Sequence, residues 1–106
     1  MPAVYRLWVS PYRDEDFQWD REKSLDTFAD RDFVFEAARI VFRGPLVRRH
    51  DTRRRRLREP RFMVLGELYG RVMVIIYTPR NRRCRIISMR RANAVEQQIY
   101  YEYTVG

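Results

Sequence analysis

The guanidinium group dominates the chemistry this chain can offer. Of its 22 basic residues only Lys23 is a lysine, and the formal net charge is +8. Arginine presents a rigid planar fork that pairs bidentately with phosphate, so an arginine-heavy balance points to polyanions. The charge is unevenly spread. Residues 1–36 hold nine acidic and five basic side chains, whereas residues 37–106 hold five acidic and seventeen basic ones, net +12. Nucleic acid is the partner this pattern suggests. An acidic protein partner is the competing reading, and both hold if that protein covers the nucleic-acid surface.

The arginines with usable spacing lie toward the C-terminus. Arg85, Arg90 and Arg91 share one strand-like run, and the last two end it just before a helix start, where free backbone N–H groups favour anions. Neighbouring residues of a strand point to opposite faces, so only one of Arg90 and Arg91 can serve a given site. Arg85 has the parity of Arg91 and shares its face in a regular strand. Arg90 or Arg91 can equally cap a sheet edge or touch a protein partner. Arg61 precedes a neighbouring strand and can converge on the same phosphate. Arg53, Arg54, Arg55 and Arg56 form a basic cluster for RNA, and Arg71 reads as part of a solvated hairpin that could join them.

Other reactive side chains are scarce. His50 is the only histidine, which excludes a two-histidine mechanism, and it reads as a solvated member of the basic segment. Cys84 is the only cysteine and reads as a packed small side chain rather than a nucleophile. One Cys and one His make no zinc set, and glycines 44, 66, 70 and 106 make no phosphate loop. Asp14, Glu15 and Asp16 read as a solvated acidic turn. No metal and no cofactor are expected.

The elements that must position these groups follow from periodicity. At 106 residues the chain is expected to be one domain, with residues 1–16 a loosely attached N-terminal extension in which 4–9 could add an edge strand. Asp20 suits an N-cap for a helix over 20–29. A second helix is predicted over 33–43, where Phe35, Ala38 and Phe42 fall on one face, with Asp32 at its start and Gly44-Pro45 at its end. Residues 46–61 hold eight arginines and two acids, so they are not expected to form a core element; their centre reads as an exposed loop between strands. Three strand-like runs follow, over 62–69, 72–78 and 83–91, and their short connections imply antiparallel neighbours. The middle run is apolar on both faces and belongs in the centre of the sheet. Asn93 with Glu96 three residues on forms a capping box for a last helix over 94–103. The fold class is therefore α+β: a small antiparallel sheet, made of a three-stranded C-terminal meander plus one or two N-terminal strands, packed with two N-terminal helices and one C-terminal helix. Trp19 reads as core, and Tyr101 and Tyr103 as packed against the sheet rather than stacked on bases.

Two stretches resemble the BrnT family of ribonuclease toxins. The first is Phe17-x-Trp19-Asp20-x-x-Lys23, continued by Phe35-Glu36-x-Ala38, Val41-Phe42 and Pro45-Leu46. The second is Arg61-Phe62, Leu65-Gly66, Gly70-Arg71-Val72, Tyr77-Thr78, Arg85-Ile86-Ile87-Ser88-x-Arg90-Arg91-Ala92, Glu96 and Tyr100. The family usually carries an Asn and then Lys-His-Gly between its first two helices; here those positions read Thr27 and Asp30-Arg31-Asp32. The resemblance implies a RelE-like fold, RNA cleavage, and neutralisation by a BrnA-like antitoxin with a ribbon-helix-helix domain in a complex of two toxins and two antitoxins. It also implies the catalytic style. Arginines from the pool Arg61, Arg85, Arg90 and Arg91 hold the charge on the phosphate, while Lys23, Tyr100 or Glu96 moves protons without a metal. Two of these have a plainer reading: Lys23 as an exposed helix lysine and Glu96 as a cap. A diverged, non-catalytic RNA- or protein-binding module of the same fold is the alternative. No apolar run approaches the ~20 residues of a bilayer span, and no secretory leader pattern opens the chain, so a cytoplasmic protein away from membranes is expected.

Overall fold

Residues 72–77 are apolar at every position, and a strand can hold such a run only between two covered faces. In the computed structural model, which describes residues 4–23, 34–51 and 59–106, that run lies inside the sheet. The strands are β1 (Arg6–Trp8), β2 (Phe17–Gln18), β3 (Leu46–His50), β4 (Phe62–Leu68), β5 (Arg71–Arg80) and β6 (Arg83–Arg91). They form one six-stranded sheet in the order β1-β3-β4-β5-β6-β2. All neighbours are antiparallel except β2 with β6, so the sheet is mixed.

The α+β class agrees with the expectation, while the sheet is larger than predicted and not purely antiparallel. The main correction is β3. Leu46 and Val47 are fully buried and pair β3 with both β1 and β4. The arginine count of the whole segment masked the two apolar residues that begin it. The edge strand offered within residues 4–9 is present as β1, at one edge of the sheet. β1 pairs with β3, and Trp8 and Tyr12 pack against the core.

The meander follows local rules. Tyr69 and Gly70 connect β4 to β5, and Asn81 and Arg82 connect β5 to β6, all four with positive φ. Such two-residue turns twist in the sense the strands require. The first turn lies one residue earlier than predicted, leaving Arg71 exposed as the first residue of β5.

Each sheet face has its own core. On one face, a 3-10 turn at Phe35–Ala37 and helix α1 (Ala38–Arg43) bury Phe35, Ala38, Val41 and Phe42 against Val64, Met73, Ile75, Tyr77 and Met89. Gly66 permits this approach: a Cβ there would lie 2.6 Å from Val41 Cγ1 and 2.7 Å from Leu46 Cδ2. On the other face, helix α2 (Ala94–Thr104) packs Tyr100 and Ile99 against Val47, Met63, Leu65, Val72 and Val74. The expected capping box is present: Asn93 Oδ1 accepts from the Glu96 N–H and Glu96 Oε1 accepts from the Asn93 N–H, each at 2.8 Å. The second N-terminal helix thus splits into a 3-10 turn and a short α-helix ending at Gly44, as expected of Gly44-Pro45. Residues 21–23 are helical. The rest of the predicted helix over 20–29, Thr27, the Asp30-Arg31-Asp32 turn and Arg53–Arg56 fall outside the described residues.

Candidate active site

Which arginines share a face depends on one irregularity in β6. Ile76 pairs with Ser88 but Tyr77 pairs with Ile86, so Ile87 is an extra residue, a β-bulge. Ile87 packs on the α2-side core while Ile86 and Met89 lie in the α1-side core. The bulge reverses the parity expected from sequence. Arg85 pairs with Thr78, the second residue after the α2-side Ile76, whereas Arg91 pairs with the α1-side Met73. Arg85 therefore shares its face with Arg90, which pairs with Val74, and not with Arg91.

The same α2-side face receives two more guanidinium groups. Arg49 of β3 pairs with Met63, and Arg61 precedes Phe62, whose ring packs on the opposite core. Arg49, Arg61, Arg85 and Arg90 thus come from β3, the start of β4 and β6. Sequence reasoning missed Arg49 because it expected no core element in residues 46–61; the apolar pair Leu46-Val47 after Gly44-Pro45 was the available signal. Tyr5, ahead of β1, joins the group by accepting a hydrogen bond from Arg49 Nε at 3.1 Å.

The four arginines differ in electrostatic state. Arg90 donates from Nη1 and Nη2 to the two carboxylate oxygens of Glu96, at 2.8 and 2.7 Å. Those hydrogen bonds hold the Glu96 carboxyl below the usual carboxylate range and raise the guanidinium, and Arg49 adds to the effect on Glu96 through space. Glu96 is therefore a locked anion and a weak proton acceptor. Among the described residues no carboxylate pairs with Arg49, Arg61 or Arg85. Arg49 Nη1 donates to the His50 carbonyl at 2.9 Å. Arg61 Nε is buried with no hydrogen-bond partner among the described residues, an unpaired charged donor. Thr78, fully buried between Arg61 and Arg85, is occupied in donating to the Pro60 carbonyl at 2.7 Å.

The other predicted site residues lie elsewhere. Tyr100 is 1% exposed and its hydroxyl donates to the Pro45 carbonyl at 3.0 Å; burial pushes its pKa up to about 12. The side chain packs in the α2-side core. Lys23 is exposed in the helical turn at residues 21–23, where its backbone N–H donates to Asp20 Oδ1 at 3.1 Å. Arg91 is exposed on the opposite face and Arg71 at the hairpin. Cys84 is fully buried, and burial pushes its thiol far up. The α1 side has an open cleft of about 390 Å³ beside Trp8, Tyr12, Phe42, Arg39 and Arg43. Its arginines are already engaged, Arg43 with the Asp14 carboxylate and Arg39 with the Asp14 carbonyl. No cluster of metal-ligating side chains occurs among the described residues.

A sheet face carrying several guanidinium groups, three of them without a carboxylate hydrogen-bonded to them among the described residues, can hold a phosphodiester and the extra charge it gathers during cleavage. Comparison with known proteins agrees with that chemistry. No curated protein and no solved structure matches the chain. Residues 19–96 match the family model described as the ribonuclease toxin, BrnT, of type II toxin–antitoxin system, a stretch that includes three of these arginines from β4 and β6 as well as Arg49. The chain belongs to the BrnT family of ribonuclease toxins.

Proposed function

We propose that this protein is an endoribonuclease that cleaves single-stranded RNA on the α2-side face of its sheet, without a metal. The observation that carries the reading is the set Arg49, Arg61 and Arg85, three arginines on one face with no carboxylate partner among the described residues. The 2′-hydroxyl gives up its proton to a base, solvent water or the Lys23 amine, and attacks the adjacent phosphorus; the 5′-oxygen leaves with a proton, and the products are a 2′,3′-cyclic phosphate and a 5′-hydroxyl. Arg61 and Arg85 hold the phosphate oxygens as charge builds. Arg49 donates to the Tyr5 hydroxyl, which leaves the phenol proton available to a leaving oxygen. Lys23 remains a candidate proton carrier from the residues it shares with the family.

Type II membership implies an antitoxin protein as well as RNA. We take the antitoxin to be a BrnA-like ribbon-helix-helix protein binding two toxins with two antitoxins. Among the described residues no helix is long and apolar enough to cross a membrane.

The test is incubation of the free protein with RNA in EDTA, followed by analysis of fragment ends. The expected result is cyclic-phosphate ends, with cleavage blocked at any nucleotide whose 2′-hydroxyl is replaced by hydrogen. Intact RNA after long incubation overturns the reading. A second reading has one observation in its favour: Glu96 already holds both Nη groups of Arg90, so the face could bind RNA without cutting it. Salt-steep binding with uncut RNA is its signature.

A further inference from the structure

Arg48 and Arg49 are consecutive in β3 and so point to opposite faces. Arg49 belongs to the site above. Arg48 lies on the α1 side, with its guanidinium over the Trp8 ring at 4.3 Å and over the Phe62 ring at 4.4 Å. Its Nη1 donates to the Tyr77 hydroxyl at 3.0 Å, and Tyr77 in turn stacks on both Trp8 and Phe62. The guanidinium is thus fixed between two rings with only one of its five N–H donors used by the described residues. Among the described residues no carboxylate is paired with it. Two residues on, the exposed His50 ring packs tilted against Phe62, with centroids 4.6 Å apart.

This arrangement is more than is needed to pin β1 to β3. A stacked guanidinium has lost most of its freedom before any ligand arrives, so a bidentate contact costs little further ordering. Its remaining donors lie in the guanidinium plane, and the side chain is half-exposed. The exposed imidazole beside them offers a face for a base. An acidic side chain would use the charge but not the adjoining aromatic face; a nucleotide uses both.

We propose that the Arg48 box is a second RNA subsite, in which Arg48 takes a backbone phosphate and His50 stacks the adjoining base. It lies on the opposite face of β3 from Arg49, and one RNA strand that reaches both arginines is held on both faces. This inference rests on the RNA-binding reading above but makes a separate claim, that the grip extends to the α1 side.

The test uses the wild-type protein and a 2′-O-methyl hexaribonucleotide, which lacks the attacking hydroxyl and cannot be cleaved. Titration is followed by nuclear magnetic resonance of the Trp8 indole N–H and the Arg48 Nε–H on one face, and of the Arg49 and Arg85 Nε–H groups on the other. Both sets are expected to shift together and saturate at one concentration. Shifts confined to Arg49 and Arg85 overturn the second subsite while leaving the first site standing. No shift in either set overturns both. As a second measurement, Arg48→Gln should lower the slope of log Kd against log salt by about 0.7, the amount for one phosphate on a single strand. His50→Ala should weaken binding about tenfold, within the range for one stacked base. An unchanged slope in a folded Arg48→Gln variant assigns Arg48 to packing alone and overturns the proposal.

Discussion

The bulge at Ile87 decides which arginines can act together, and exchanging them one at a time tests it. In a regular strand Arg85 and Arg91 share a face; with the extra residue, Arg85 pairs with Thr78 on the α2 side and Arg91 with Met73 on the α1 side. Arg61 and Arg85 start two strands apart, about 10 Å at the backbone, close enough for their forks to meet a phosphate held between them. Removing one donor from the charge that develops in a transition state lowers the rate about 100- to 1000-fold, or about 2.7–4 kcal/mol. Arg85 is only half-buried, which places Arg85→Ala at the lower end, about 100-fold. Arg90 already shares both Nη groups with Glu96, so Arg90→Ala should lose about tenfold, equal to about 1.4 kcal/mol. Arg91→Ala should stay within about twofold, since a surface charge on the far side adds only screened attraction. The assay is single-turnover cleavage of a labelled RNA in EDTA, with a thermal melt of each variant to confirm folding. Equal losses in Arg85→Ala and Arg91→Ala refute the assignment of faces, and full activity in Arg85→Ala refutes its role.

Glu96→Gln separates a structural carboxylate from a catalytic one. The Arg90 hydrogen bonds depress the folded-state pKa of Glu96, so its stabilisation is present above the unfolded value of about 4.3 and is lost as pH falls through the lower folded value. Urea unfolding from pH 3 to 7 should show the variant less stable by about 1–2 kcal/mol at pH 7, with the difference fading in acid. Tyr100→Phe removes the hydrogen bond to the Pro45 carbonyl and should lower stability by about 1 kcal/mol while leaving RNA cleavage unchanged; a large loss of rate keeps Tyr100 in the catalytic pool. Gly66→Ala places a methyl against Val41 and Leu46 and should lower stability by about 1–3 kcal/mol, seen as an earlier urea midpoint.

Features set by a few adjacent residues were legible in the chain. The Asn93–Glu96 capping box, the stop at Gly44-Pro45 and the antiparallel meander all rest on contacts within a few positions, and each appears in the structure as expected. The basic second half pointed to polyanions for the same reason, since charge is a property of composition. Short strands were harder. Phe17–Gln18 is two residues long and Leu46–His50 opens an arginine-rich segment, so neither carries a pattern long enough to read, and both are strands only because neighbouring strands supply the hydrogen bonds.

The sequence alone determined the class of fold, the wealth of guanidinium groups and the scarcity of any other reactive side chain. The tertiary structure decided which of those groups meet. A strand's parity is a local rule that one extra residue reverses, and whether Ile87 is accommodated as a bulge depends on two cores competing for the side chains around it. That competition, between residues distant in the chain, turned Arg85 toward Arg61 and Arg90 and sent Tyr100 into the interior.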